Sequence, residues 1–173
     1  RMIRHRQIIK LKPEFVENIS DFAFYEELAI ADKEDGKSFI NRLLSNDGLN
    51  YAKLPKALIS FHKYQNEVRK SIDEQLIEGV KYINNNGVSN FHFTISPEHK
   101  TLVNSHLKNV IPVYEKELNT TFNISFSTQS KSSDTISLNA ENEILRDENN
   151  QLVFRPGGHG ALIHNLNALD ADV

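Results

Sequence analysis

Phe91-His92-Phe93-Thr94-Ile95-Ser96-Pro97-Glu98-His99 is the run on which the fold turns. Its first five residues alternate apolar and polar, the period of a half-buried strand. Ser96, Pro97 and Glu98 then supply an N-cap, a proline suited to the first helical position and an acid for the first turn. The spacing predicts a helix from there to about Asn109, with another turn or two over Val113–Leu118. Phe122-Asn123-Ile124-Ser125-Phe126 alternates again and reads as the next strand. Strand, helix and strand in that order imply a crossover and therefore a parallel pairing.

Working back from Phe91, Gly87 is a natural stop for an amphipathic helix over Tyr64–Asn86, with Val68, Ile72, Leu76, Val80 and Ile83 on its core face. Before it, Ala57-Leu58-Ile59-Ser60-Phe61 is a compact apolar run after Pro55 and is expected to be a strand. Asn46-Asp47-Gly48 is a turn cluster, Ser38–Leu44 a short helix and Lys12–Ala29 a longer one with Pro13 in its first turn. Working forward, Ile136–Leu138 and Gln151–Phe154 read as short strands. The polar stretch Ala140–Asn150 between them ends in an Asn149-Asn150 turn, and Gly160–Leu169 is a final helix. No internal repeat or linker is evident. The expected fold is a single α/β domain over residues 1–173, a mainly parallel sheet with flanking helices. The 122–154 region adds shorter pieces, some antiparallel. Arg1-Met2 and Leu169–Val173 read as cut ends, so the domain is expected to be partial.

Composition narrows the function classes. The chain is 39% apolar and 25% charged with net charge −3, as in soluble globular domains. A pI near 6.2 argues against a general nucleic-acid binder, which needs a basic face for phosphates. There is no cysteine, which removes disulfides, thiolate chemistry and zinc ribbons. No apolar run approaches the ~20 residues of a membrane span and no signal-peptide pattern is present, so a cytoplasmic location without a membrane partner is expected.

The stretch with most chemical content is Pro156-Gly157-Gly158-His159-Gly160, between an expected strand and an expected helix. Its three glycines let a ligand approach the backbone, and in α/β sheets ligands sit at the carboxyl ends of strands. The bland alternative is a tight strand-to-helix turn. Lys56, beside Pro55, can hold a phosphate as a point charge, although taken alone it reads as a solvated surface lysine. Gln129, just past a strand, offers a donor and an acceptor for a pyrimidine edge. Asp134 reads equally as a turn cap or as a residue near a metal or ribose. Seven histidines suggest metal, but His92, His99 and His106 have no H-x-x-x-H spacing. His92-Phe93-Thr94 and His99-Lys100-Thr101 match the H-x-T pattern of two-histidine phosphoesterases, yet lie too close together for two symmetry-related strands.

Several patches in order resemble an uncharacterised bacterial family classed as a domain of unknown function. They are Leu54-Pro55-Lys56-Ala57-Leu58 with Phe61-His62-Lys63-Tyr64, Phe91–His99, Ser127-Thr128-Gln129 with Asp134-Thr135-Ile136, and Phe154–Asn167. The order Lys56, Gln129, Pro156–Gly160 is in turn similar to that of the UDP-sugar pyrophosphorylases, although Ser130 stands where those enzymes have a proline. That resemblance implies a nucleotidyltransferase-like fold. It implies base contacts from Gln129 and Gly158, with Gly157 and Gly160 completing the loop, and a sugar-side place for His159. It also implies phosphate neutralisation by Lys56 and Arg1. Mg²⁺ is implied, with its ligand on a strand expected beyond Val173, so the chain alone is expected to be inactive. The reading is thus a domain that binds a nucleotide or nucleotide-sugar and transfers a nucleotidyl group to a sugar 1-phosphate, releasing pyrophosphate. Its rivals are a non-catalytic sensor on the same fold and a structural domain.

Overall fold

The computed structural model describes residues 19, 21–28 and 36–171. Arg1, Met2 and most of the Lys12–Ala29 segment lie outside them. Within that segment the described part is a turn at residues 21–23 followed by α1 (Phe24–Leu28), so it is not one continuous helix there. α2 (Gly36–Leu44) follows. Ile19, Leu28 and Phe39 form a small core of their own. Ser60 ties this part to the next: its hydroxyl donates to Glu27 at 2.6 Å, and its N–H donates to the Tyr51 hydroxyl at 3.2 Å.

Two sequence expectations shift here. Lys56–Leu58 is a 3-10 turn, and the strand is displaced to β1 (Ser60–Lys63). The chain then doubles back as β2 (Val68–Lys70), antiparallel to β1. The expected helix therefore begins seven residues late, as α3 (Ser71–Ile83). Helical periodicity alone did not separate the two, because Val68 sits in phase with Ile72 and Leu76. What starts the helix is Asp73, whose carboxylate accepts the Lys70 N–H at 2.9 Å. Gly87 is not the helix stop. With Asn86 it has positive φ (81° and 52°) and forms the two-residue turn between Asn85 and Val88, the Asn-Gly geometry of a type I′ hairpin.

β3 (Val88–Thr94), a 3-10 turn at Pro97–His99, α4 (Lys100–Leu118) and β4 (Thr121–Ser127) form the expected strand–helix–strand unit. β3 and β4 are parallel in unbroken register from Val88↔Thr121 to Thr94↔Ser127. α4 runs without a break through Pro112, whose position on an exposed face lets water satisfy the carbonyl left without a donor. The Ser96 side chain makes no cap bond.

Alternation divides this strand pair into two unlike faces. Phe91, Phe93, Phe122, Ile124 and Phe126 pack with Ile72, Leu76, Val103, Leu107 and Tyr114 of α3 and α4 to make the main core. Gly79 of α3 is needed there, since a Cβ would stand 2.5 Å from the Phe91 ring. The opposite face carries Asn90, His92 and Thr94 beside Asn123, Ser125 and Ser127.

The remaining strands are short. β5 (Thr135–Ile136) pairs antiparallel with β6 (Phe154–Arg155). Between them lies a repeat that the sequence reading missed. Ser137, Leu145 and Val153 exchange backbone bonds in a ring: Ser137 N–H to Val153 O (2.8 Å), Val153 N–H to Leu145 O (3.1 Å) and Leu145 N–H to Ser137 O (2.8 Å). Two corners of this triangle are alike. Asn139 Oδ1 accepts the Glu141 and Glu143 N–H groups, and Asp147 Oδ1 accepts those of Asn149 and Gln151. Each corner closes on a left-handed asparagine, Asn142 (φ 63°) and Asn150 (φ 61°). The third side, β6, runs into Pro156-Gly157-Gly158. A 3-10 turn at His159–Leu162 and α5 (Ile163–Asn167) follow, shorter than the helix expected over Gly160–Leu169. The α/β class stands. Among the described residues the expected mainly parallel sheet is narrowed to one parallel pair beside two antiparallel ones.

Candidate functional site

Gln129 and the glycine loop are brought together at the carboxyl end of β4. After Ser127 the chain turns through Lys131–Ser133, where the Ser133 hydroxyl donates to Ser130 O at 2.6 Å. That leaves the Ser133 oxygen free to accept, and Gln129 Nε2 donates to it at 2.9 Å. The second Nε2 proton goes to Gly157 O at 3.2 Å. With both protons committed, the amide orientation is set by its partners. Gln129 Oε1 takes no hydrogen bond among the described residues and is left as an acceptor.

The three glycines of the loop are not equivalent. At Gly157 a Cβ would stand 2.5 Å from Ser133 O and 3.3 Å from Gln129 Nε2, so this glycine is required by packing within the chain. Gly158 and Gly160 have nothing within 4 Å of the position a Cβ would take. Gly158 has φ −68°, open to any residue. Neither steric crowding nor backbone conformation inside the described chain calls for glycine at those two positions. The Gly158 N–H also has no hydrogen-bond partner among the described residues. His159 opens the following turn, exposed.

Lys56 stands apart from this group. It opens the 3-10 turn that packs on α3, is exposed, and no hydrogen bond among the described residues joins it to Gln129 or the loop. Arg1, the second expected phosphate contact, lies outside the described residues. Asp134 ends the Lys131–Ser133 turn, its N–H bonded to Lys131 O at 3.1 Å.

A polar network that sequence reasoning passed over lies next to this site. His92 bonds through Nδ1 to Ser125 Oγ (2.8 Å) and through Nε2 to Ser127 Oγ (2.9 Å). Ser125 Oγ also lies within hydrogen-bond reach of Phe91 O, at 3.2 Å. Serine, base and an orienting third group have the outline of an activated nucleophile. The hydroxyl of Ser127 is, however, fully coordinated. Thr94 Oγ1 stands at 2.9 Å, and Asn165 Nδ2 donates at 2.9 Å while also reaching Thr128 O at 3.0 Å. Its one O–H and two lone pairs are all engaged, by His92, Thr94 and Asn165, so the hydroxyl is saturated within the network. It ties β3, β4 and α5 together. The signal was present as His-x-Thr and Ser-x-Ser, each placing two side chains on one strand face, but only the parallel register sets the two pairs side by side.

His106, considered with His92 and His99 for metal, instead bonds Asp73 at 2.6 Å through Nε2, across α3 and α4. Asp73 is 3% exposed. Among the described residues no three His, Asp or Glu side chains form a group able to hold a metal ion; the implied Mg²⁺ ligand was expected beyond Val173, outside them. Among them too, no helix is long and apolar enough to cross a membrane.

No curated protein and no solved structure matches the chain. One family does, and it covers every patch from Leu54 to Asn167 that carried the resemblance. Matched over residues 4–173, the chain belongs to the family described as "Domain of unknown function (DUF4301)".

Proposed function

We propose that this domain binds a nucleotide or nucleotide-sugar at the Gln129–Gly158 loop, on a nucleotidyltransferase-like fold. The observation that carries the reading is that Gly158 and Gly160 have open space where a Cβ would stand, next to an unused amide oxygen and an unused backbone N–H. Gln129 Oε1 is an acceptor for an imide N–H, and the Gly158 N–H is a donor for a ring carbonyl. Together they match the alternating edge of a uracil-type base. A glycine at 158 lets such a planar ring lie directly on the peptide.

The similarity to UDP-sugar pyrophosphorylases adds the direction of the chemistry: transfer of a nucleotidyl group to a sugar 1-phosphate, with pyrophosphate leaving. Such a reaction depends on positioning and charge neutralisation. Lys56 and Arg1 are the cations that the resemblance assigns to the phosphates. On this reading the described residues supply the base end of the site.

Calorimetric titration of the chain with UTP, UMP and uridine, with and without Mg²⁺, tests it. Saturable binding that is lost in Gly158→Val supports the proposal. Absence of binding by every uracil nucleotide sinks it. Full cellular function in Gly158→Val would favour a structural role for the loop.

A further inference from the structure

The polar face of the β3–β4 pair floors a groove of about 630 Å³, inside the roughly 300–1,000 Å³ range of small-molecule sites. We infer that this groove is a binding site for an uncharged saccharide. The inference stands independently of what binds at Gly158.

The floor is a cross-strand ladder. Asn123 Nδ2 donates to Asn90 Oδ1 at 3.0 Å. That bond uses one donor and one acceptor and leaves the other amide donor and the other amide oxygen side by side, both on exposed residues. One step along, Ser125 Oγ is bonded to His92 Nδ1 and lies 3.2 Å from Phe91 O, which leaves at least one lone pair as an acceptor whichever way its proton points. The groove therefore offers a donor, an acceptor and a second acceptor in sequence along one face. A pair of neighbouring hydroxyl groups, each able to donate and accept, satisfies an adjacent donor and acceptor together.

The opposite wall differs in kind. Leu166, Leu169 and Ala171 line it, with Leu166 65% exposed. A sugar ring has hydroxyls around its edge and C–H groups on its faces, and a cleft with one hydrogen-bonding wall and one apolar wall matches both. Charge selects further. Among the described residues no lysine or arginine lines the groove, and the one carboxylate that does is Asp170. A phosphorylated or carboxylated ligand would find no cation here and one like charge.

Titrating the isotopically labelled chain with glucose, N-acetylglucosamine and maltose, observed through the Asn side-chain amide resonances, tests the assignment. The expected result is saturable shifts of the Asn90 and Asn123 amides with at least one of these sugars. Asn123→Leu should weaken binding about tenfold, the value of one or two hydrogen bonds, and Gly158→Val should leave it within about twofold. Asn90→Ala serves as a second variant should Asn123→Leu lose its fold. The inference is overturned if none of the three sugars moves these resonances, or if binding survives both substitutions unchanged.

Discussion

Gln129 Nε2 and Gly157 O, 28 residues apart in the chain, are joined by a hydrogen bond of 3.2 Å. It links the turn after the parallel strand pair to the third corner of the triangular segment, and it is what sets the glycine loop against that turn. Gln129→Leu removes both donors of this amide. A loss of about 1–2 kcal/mol in urea unfolding is expected for two partly exposed bonds. Faster hydrogen exchange at residues 157–160 should accompany it. Unchanged exchange there would show that the loop is held by something else.

The two neighbouring glycines should respond in opposite ways to the same methyl group. Gly157→Ala places a Cβ against the Ser133 carbonyl, a backbone atom with no rotamer to yield. A destabilisation of about 1–3 kcal/mol is expected from such overpacking. Gly158→Ala meets open space and should leave the melting temperature unchanged or slightly raised, while reducing nucleotide affinity in the titration proposed above. Equal stability of the two variants would contradict the packing described for Gly157.

Tyr114 gives the fold an alkaline limit. Burial, with the Asp73 carboxylate as the next contribution, pushes its hydroxyl up from 10.0 to about 12. A raised value in the folded state means that folding favours the neutral phenol. The contribution is present in full below pH 10 and is lost as pH rises through 12. Stability measured by denaturant should therefore fall between about pH 10 and 12. Tyr114→Phe should flatten that part of the profile, and a profile unaltered by the substitution would assign the alkaline loss to other groups.

Asp73 serves two partners from a position that is 3% exposed: the Lys70 N–H at the start of α3 and His106 on α4. Asp73→Ala should cost about 2–4 kcal/mol, combining a lost helix cap with a lost charge-assisted bond. His106→Ala should cost less, because the cap bond survives. A double-mutant cycle measures the shared term, and a coupling near zero would mean that the 2.6 Å contact contributes nothing in solution.

Much of the strand–helix–strand unit could be read directly, because both signals are local. Alternation at 91–95 and 122–126, and Ser-Pro-Glu between them, depend on side chains a few residues apart. The segment from Tyr64 to Lys70 was misread for the complementary reason. Its apolar spacing suits a helix, and only pairing with Ser60–Lys63 makes it a strand. The eight-residue likeness of 139–143 and 147–151 went unseen because one corner opens on asparagine and the other on aspartate, and the shared asparagine at 142 and 150 is the single identity between them. Of the candidate site, the glycine loop and Gln129 were legible as separate pieces, Lys56 is joined to them by no hydrogen bond among the described residues, and the His92 network and the Asn90–Asn123 ladder were absent from the reading.

Residue type and short-range period by themselves determined an α/β chain, a parallel crossover pair and a glycine-rich loop after a short strand. They did so because the period-two alternation and the chemistry of Ser, Pro and Gly act within a few residues of backbone. Tertiary structure alone decided which of the loop's three glycines is demanded by packing, which serine hydroxyl is saturated by hydrogen bonds, and which strand face is left polar beside a groove. Each of those depends on atoms brought close from positions some thirty residues apart, where hydrogen bonds saturate or remain open according to register and not to sequence pattern.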